Sequence, residues 1–320
     1  MTTVESPVLT LIRLLKRYLL VVKEDGSIAK IHVGQEWLDR EILESFDGQI
    51  TVGLERGEDE KLSFDGSLRR LCHFLRVNVW ASDRSIREKV CSEINRVIHG
   101  KRNTPNIVNY NFCGVGVASE THEAFHGVSV SDLPPNDDGW SEFAEGEYQK
   151  IWYSDDNRLS KSVLENGKYA YTLFRFKIDA DENLLKRLIL KFEGYGVAPS
   201  GNGATIKVWN HVANVWENAV SGSSATDEVL MINLSSNLPN YVDADGYAYL
   251  LAKTTFPSDG ETQAVLYCDY VEVEFAVNGI AYVDIVSFRD VDEVRVKPFL
   301  WRTEFLVKSW FFENVTIMEE

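Results

Sequence analysis

The sharpest chemical pattern in the chain is His122-Glu123-Ala124-Phe125-His126, two imidazoles spaced one helical turn apart around a carboxylate. On a helix this spacing lets both rings hold zinc while the glutamate activates the metal's water, the constellation of a zinc hydrolase. The flanks do not favour a helix. Cys113-Gly114-Val115-Gly116-Val117 precedes the pattern, and Gly127-Val128-Ser129-Val130 with Pro134-Pro135 follows, leaving room for scarcely two turns. A third ligand would have to come from Glu142, Glu145 or Glu147. The segment therefore reads first as a polar linker at a domain entrance, with zinc at His122 and His126 the third of three functional readings. Two oxygen-rich turns, Ser154-Asp155-Asp156-Asn157 and Asp243-Ala244-Asp245-Gly246, make Asp155, Asp156, Asp243 and Asp245 candidate calcium ligands, although neither has EF-hand spacing and turn formation is the plainer role. Trp140, Trp152, Trp209 and Trp216 are candidates for stacking on a glycan, against the alternative of sandwich core. No phosphate-binding glycine loop, G-x-S-x-G elbow or nucleophilic cysteine context is present. The chain reads as a non-enzyme, with no cofactor beyond a structural calcium.

These residues need a frame. The 320 residues suggest about two domains, and 44% hydrophobic with 26% charged residues is an ordinary globular balance. A net charge of −16 excludes a dedicated nucleic-acid wrapper. The charge is uneven: Ser221 to Phe275 carries nine acids and one base, whereas Lys61 to Arg102 carries ten bases and four acids. Four scattered cysteines, Cys72, Cys91, Cys113 and Cys268, without CxxC pairing, read as reduced core residues. The apolar run Val8–Val22 is broken by Arg13, Lys16 and Arg17, so it reads as an amphipathic surface helix rather than an export signal or a membrane span.

The elements fall into two textures. The first hundred residues predict a helix from about Ser6 to Leu20, strands at 28–33, 49–54 and 71–80, and a helix over 84–99 capped by Asp83. Gly57-Glu58-Asp59-Glu60 reads as a turn. From about Tyr110 to Phe275, alternating strands at 171–178, 188–193, 205–209, 229–234, 246–254 and 265–275 predict a β-sandwich or jelly roll. Strands at 282–288, 291–296 and 303–315 are too few to stand alone and need a sheet to join. The expected fold class is α+β: a small discontinuous helix-on-sheet domain, residues 1–117 plus 278–320, with an all-β sandwich inserted at 118–277.

Two resemblances extend this reading. Arg76-Val77-Asn78-Val79-Trp80-Ala81, the helix pattern Arg84…Arg87-Glu88-Lys89-Val90…Glu93-Ile94…Val97-Ile98, and Gln35-Glu36-Trp37-Leu38-Asp39-Arg40-Glu41 resemble the tail-completion or tail-terminator proteins at the neck of tailed viruses. This resemblance implies a virion structural protein, made in the host cytoplasm, whose copies form a homo-oligomeric ring, commonly a hexamer. Such a ring completes the tail and joins the tail tube to the head connector or adaptor, with viral DNA passing the lumen. Expected oligomer contacts are Arg76, Trp80, Arg84 and Arg87 at the strand–helix junction, and Trp310 and Phe312 in the last strand. The insert, through Ile151-Trp152-Tyr153-Ser154-Asp155-Asp156-Asn157, Ile206-Lys207-Val208-Trp209-Asn210 and Tyr267-Cys268-Asp269-Tyr270-Val271-Glu272-Val273, resembles carbohydrate-binding jelly rolls. That implies an outward decoration able to meet host glycans. The alternative function is a carbohydrate-binding adhesin; no membrane partner is expected.

Overall fold

The computed structural model describes residues 4–35, 37–64, 67–292 and 300–314. In chain order the elements are α1 (Pro7–Tyr18), β1 (Ile31–Gly34), α2 (Arg40–Ser45), β2 (Gly48–Lys61), β3 (Leu68–Ala81) and α3 (Arg84–Gly100). Next come β4 (Ile107–Asn111), β5 (His122–Ser129), β6 (Ser141–Glu142), α4 (Glu145–Tyr148), β7 (Leu159–Val163), β8 (Tyr169–Lys177), β9 (Leu185–Ala198) and β10 (Gly201–Asn202). They continue with β11 (Ala204–Asn210), β12 (Val215–Ser221), β13 (Glu228–Leu234), β14 (Tyr247–Thr254), β15 (Ala264–Val277), β16 (Tyr282–Asp290) and β17 (Trp301–Asn314). The chain divides into two compact units, one of Met1–Val108 with Asn278–Glu320 and one of Asn109–Val277.

In the first unit the strand order is β1-β2-β3-β17-β16, with β1 parallel to β2 and the other neighbours antiparallel. Helices α1 and α3 pack on one face. The period-2 alternation of β3 and β17 sends Leu75, Val77, Val79, Phe305 and Val307 toward them, where Val8, Leu11, Leu15, Val90, Ile94 and Ile98 close the core. Each fully buried side chain of this size contributes roughly 1.5–3 kcal/mol. Helix α3 starts where expected: Asp83 stands outside helical geometry and its Oδ1 accepts from the Ile86 N–H at 3.0 Å. Helix α1 differs from the surface helix expected. Arg13 is buried, because Glu5, itself 3% exposed, receives its guanidinium, with Nη1 to Oε2 at 2.9 Å, while Thr10 donates to the same carboxylate.

Three further expectations are corrected here. Residues 57–60 are not a turn: β2 runs through them to Lys61, its outer half held by the ladder to β3, with Arg69 on Asp59 at 2.9 Å and Arg70 Nε on Glu60 at 3.0 Å. A short helix, α2, was not expected; Asp39 caps it by accepting from the Glu41 N–H. The last strands join this sheet as required, β17 pairing β3 from Trp301↔Ala81 to Asn314↔Leu68; most of the strand expected at 291–296, and the end of that expected at 303–315, lie outside the described residues.

The second unit is a β-sandwich. Among the described residues one six-stranded sheet is built on β9 and β15, with β10 and β13 along β9 and β4 and β7 along β15. The other runs β12-β11-β14-β8-β5-β6. Phe174 and Phe176 of β8 point to the interior, where Phe174 meets Phe192 of β9 at 6.3 Å between ring centroids and Phe112 meets Phe176 at 5.1 Å. The six expected strands are present, four of them longer than expected, with β8 shifted to start at Tyr169 and β14 starting at Tyr247; β5, β7 and β12 were not expected. All four cysteines are free; Cys72 and Cys268 are buried, but Cys113 is exposed rather than core.

Candidate functional site

The His-Glu-His pattern does not assemble a metal site. His122–Ser129 is strand β5, and four residues of strand span about 13 Å, too far for both imidazoles to reach one zinc through bonds of about 2 Å. Alternation also turns Glu123 away from the two histidines. His122 is a core residue, 6% exposed, its Nδ1 accepting from the Lys177 N–H at 3.1 Å, with the rings of Tyr110 and Phe176 beside it. His126 packs near Phe143, and burial, with the charge of Lys161, lowers its pKa. Glu123 forms an ion pair with Arg175 on the opposite face; burial raises its pKa against that cation.

The four tryptophans do not form one open platform. Trp209 is buried and packs edge-on against Trp216 at 5.1 Å. Trp140, Trp152 and Trp216 are half-buried, and their indole N–H groups donate to the carbonyls of Pro134, Val115 and Leu133. The segment 130–140 is fixed to the outward side of β8, β11 and β14 by Asp132, which accepts from Lys207 and Lys253 at 2.6 Å each and from the Tyr171 hydroxyl at 3.0 Å. Beyond it, the register places Glu123, Phe125, Arg175, Lys177, Tyr247 and Tyr249 on the same outward side, with the Arg175 guanidinium 4.4 Å from the Tyr247 ring centre.

The calcium candidates separate. Asp243 closes a turn by accepting from the Tyr247 N–H at 2.8 Å, Lys177 donates to the Asp245 carbonyl, and Asp155 accepts from the Asn157 N–H at 3.0 Å. Only Asp156 of the four enters a group of metal-type ligands, and its companions there, Asp227 and Asp269, were not foreseen. They lie far from it in sequence, so spacing carried no signal.

A second chemical surface is the outer face of the five-stranded sheet, opposite the helices. Even-numbered residues of β3 and β17 share it: Phe74, Arg76 and Trp80 beside Arg302, Lys308, Trp310 and Phe312. Cations and rings alternate along it. The Arg302 guanidinium lies 4.6 Å from the Trp80 ring centre, Arg56 lies 4.2 Å from Phe74, and Tyr282 stacks on Trp310 at 3.6 Å. Four expected contact residues, Arg76, Trp80, Trp310 and Phe312, therefore fall on one face. Arg84 is on the exposed side of α3, paired with Glu88 at 2.8 Å. Arg87 is corrected from a contact residue to an internal one: it is 3% exposed and is held by Asp292 at 3.1 Å and Asp290 at 3.3 Å.

A hollow of about 440 Å³ opens on the same face, lined by Gln35, Thr51, Gly53, Arg76 and Arg302, with Trp37 at its rim, 92% exposed. Trp37 was not singled out as a contact, because a lone tryptophan in a polar segment has no periodic signature. Phe312 is 56% exposed, Phe288 of edge strand β16 is 63% exposed, and Phe64 near the β2–β3 turn is fully exposed. The local excess of positive charge in 61–102 is largely met within the chain. Arg69, Arg70, Arg76, Arg84, Arg87, Arg96 and Arg102 all pair with carboxylates, so this stretch does not form a bare basic wall.

Fold and surface thus define a two-unit chain: a sheet backed by helices on one face and carrying rings and guanidinium groups on the other, interrupted in sequence by a β-sandwich. The family model described as "AF_1625_C: Uncharacterized protein, C-terminal domain" matches residues 119–277, just under half of the chain. Among solved structures, a xylan-binding module, CBM15, aligns at 14% identity and a TM-score of 0.28 over 54% of this chain and 97% of its own. A family 11 carbohydrate-binding module from Clostridium thermocellum, in complex with a β-1,3-1,4-mixed-linked tetrasaccharide, aligns at 8% identity and a TM-score of 0.20 over 52% of this chain and 88% of its own. No curated relative matches the chain.

Proposed function

We propose that the protein is a non-enzymatic assembly protein whose copies join through the outer face of the five-stranded sheet, with the sandwich as a decoration. The observation that carries this reading lies on that outer face: Trp37 and Phe312 stand out in solvent beside a ladder of rings and guanidinium groups. Exposed aromatic and arginine side chains set side by side are the usual anchors of protein interfaces. Edge strand β16, with Val286 and Phe288 exposed, adds a second contact able to pair with a neighbouring sheet. The particular setting, a ring at the neck of a tailed virus between tail tube and head connector, comes from the sequence resemblance. Light scattering on the purified chain tests assembly, and detection of the protein in purified particles tests the setting. A chain that stays monomeric and is absent from particles would overturn both.

A second reading, a carbohydrate-binding adhesin, is favoured by one observation: Phe125, Tyr247 and Tyr249 lie half-exposed on the outward side of the sandwich around Arg175 and Glu123. Rings and planar polar groups on a sheet face are suited to a sugar's apolar faces and hydroxyls. Glycan-array binding that is lost in Tyr247→Ala would support it, and an empty array would remove it.

A further inference from the structure

We propose that Asp156, Asp227 and Asp269 form a binding site for a divalent cation of the calcium type. The three come from separate parts of the sandwich: the loop before β7, the approach to β13, and the middle of β15. Each offers a carboxylate oxygen, and these oxygens lie within 4.8 Å of one another. Hard oxygen donors converging in this way suit calcium, which accepts irregular geometry, better than magnesium, which demands a near-octahedral shell.

The second observation is independent of the clustering. Asp269 is only 1% exposed, and its Oδ1, like the Oδ1 of Asp227, is buried without a hydrogen-bond partner among the described residues. A buried carboxylate oxygen without a donor is costly unless a cation meets it. The backbone places Asp269 there deliberately. The β9–β15 register slips between Cys268 and Tyr270, so Asp269 is the extra residue of a bulge, which redirects its side chain. Opposite the bulge is Gly194, where a Cβ would stand 2.2 Å from the Tyr267 carbonyl oxygen, so the backbones close up only on glycine.

The charge balance points the same way. Asp155 and Glu193 also act on Asp269, making five carboxylates against one cation, Arg158. Arg158 occupies the outer side, with Nε on Asp227 Oδ2 at 2.6 Å and Nη2 on Asp156 Oδ1 at 2.5 Å, leaving the Oδ1 atoms of Asp227 and Asp269 for a metal.

The test uses the full chain stripped with EDTA. Calcium titration by calorimetry is expected to show one site per chain, with a thermal midpoint that rises with calcium concentration. Terbium offers a second readout, because the Tyr195 ring centre lies 5.9 Å from the Arg158 guanidinium and can sensitise its luminescence. Asp269→Asn is expected to weaken binding about tenfold or more, and Asp156→Asn, on an exposed loop and safe for folding, by a similar factor. Magnesium at the same concentration is expected not to compete. No saturable calcium binding up to about 1 mM, or affinity unchanged in Asp156→Asn, would overturn the proposal. A gain in stability from Asp269→Asn without calcium binding in the parent would instead identify a protonated carboxyl cluster.

Discussion

Asp132→Asn removes one charge from the strap that crosses the outward side of the sandwich while preserving side-chain shape. Asp132 accepts from Lys207 and Lys253 at 2.6 Å each and from the Tyr171 hydroxyl at 3.0 Å, and the three charged side chains are 18%, 23% and 14% exposed. Breaking a fully buried pair costs about 3–5 kcal/mol because the partner charge is stranded; the residual solvent contact here lowers that to about 2–3 kcal/mol. This corresponds to a roughly 30- to 150-fold shift in the unfolding equilibrium. Burial pushes the Asp132 carboxyl up, but the two ammonium groups outweigh it and hold its pKa below the ordinary value. A lowered folded-state pKa contributes stability that is complete above the unfolded value near about 3.9 and is lost as pH falls through the folded value. Urea unfolding of wild type and variant should therefore differ by a constant amount from about pH 5 to 8 and converge below about pH 4. A difference under about 0.5 kcal/mol at pH 7, or one that persists undiminished in acid, would refute the reasoning.

Three further outcomes follow from the same structure. Arg87→Met should destabilise the first unit by about 1–2 kcal/mol, measured by chemical unfolding, because the guanidinium that ties α3 to the end of β16 is lost while Asp290 and Asp292 keep contact with solvent. Asp83→Ala should cost about 1 kcal/mol through loss of the α3 cap, read as a lower thermal midpoint, whereas Ser6→Ala should cost less because Ser6 makes no side-chain cap. His126→Ala should leave zinc content unchanged by elemental analysis, since the strand holds the two imidazoles apart.

What was legible in the sequence was periodicity with punctuation. Asp83 before the stripe Ile86-Val90-Ile94-Val97 gave α3 almost to the residue, and the alternation of 303–312 gave a strand whose even side is the proposed assembly face. The outer half of β2 was missed because Glu55–Lys61 is polar on both sides: that part of the hairpin stands clear of the core, and its strand geometry comes from ladder pairing with β3. The linker reading of His122–His126 is corrected to strand β5: spacing of four marks one side of a strand as well as one side of a helix, and pairing with β8 decides it. The acid cluster was only one-third legible. Asp156 stood in a visible turn, but Asp227 and Asp269 meet it through sheet pairing, and the bulge that aims Asp269 leaves no trace in a single sequence. Arg13 looked like a solvated base and Arg87 like a subunit contact because their partners, Glu5 and Asp290 with Asp292, are identified only by the fold.

The central claim is that the outer face of the five-stranded sheet is an assembly surface. Multi-angle light scattering behind size exclusion, with negative-stain microscopy of the same peak, tests it on wild type and on a Trp37→Glu, Phe312→Glu double variant, whose substituted side chains are already in solvent. The account predicts a closed oligomer, about 218 kDa if six 36.4 kDa chains form the ring, that falls to monomer in the double variant with an unchanged circular dichroism spectrum. A monomer of 36.4 kDa for the wild type at about 100 μM, or an oligomer indifferent to both substitutions, would contradict it.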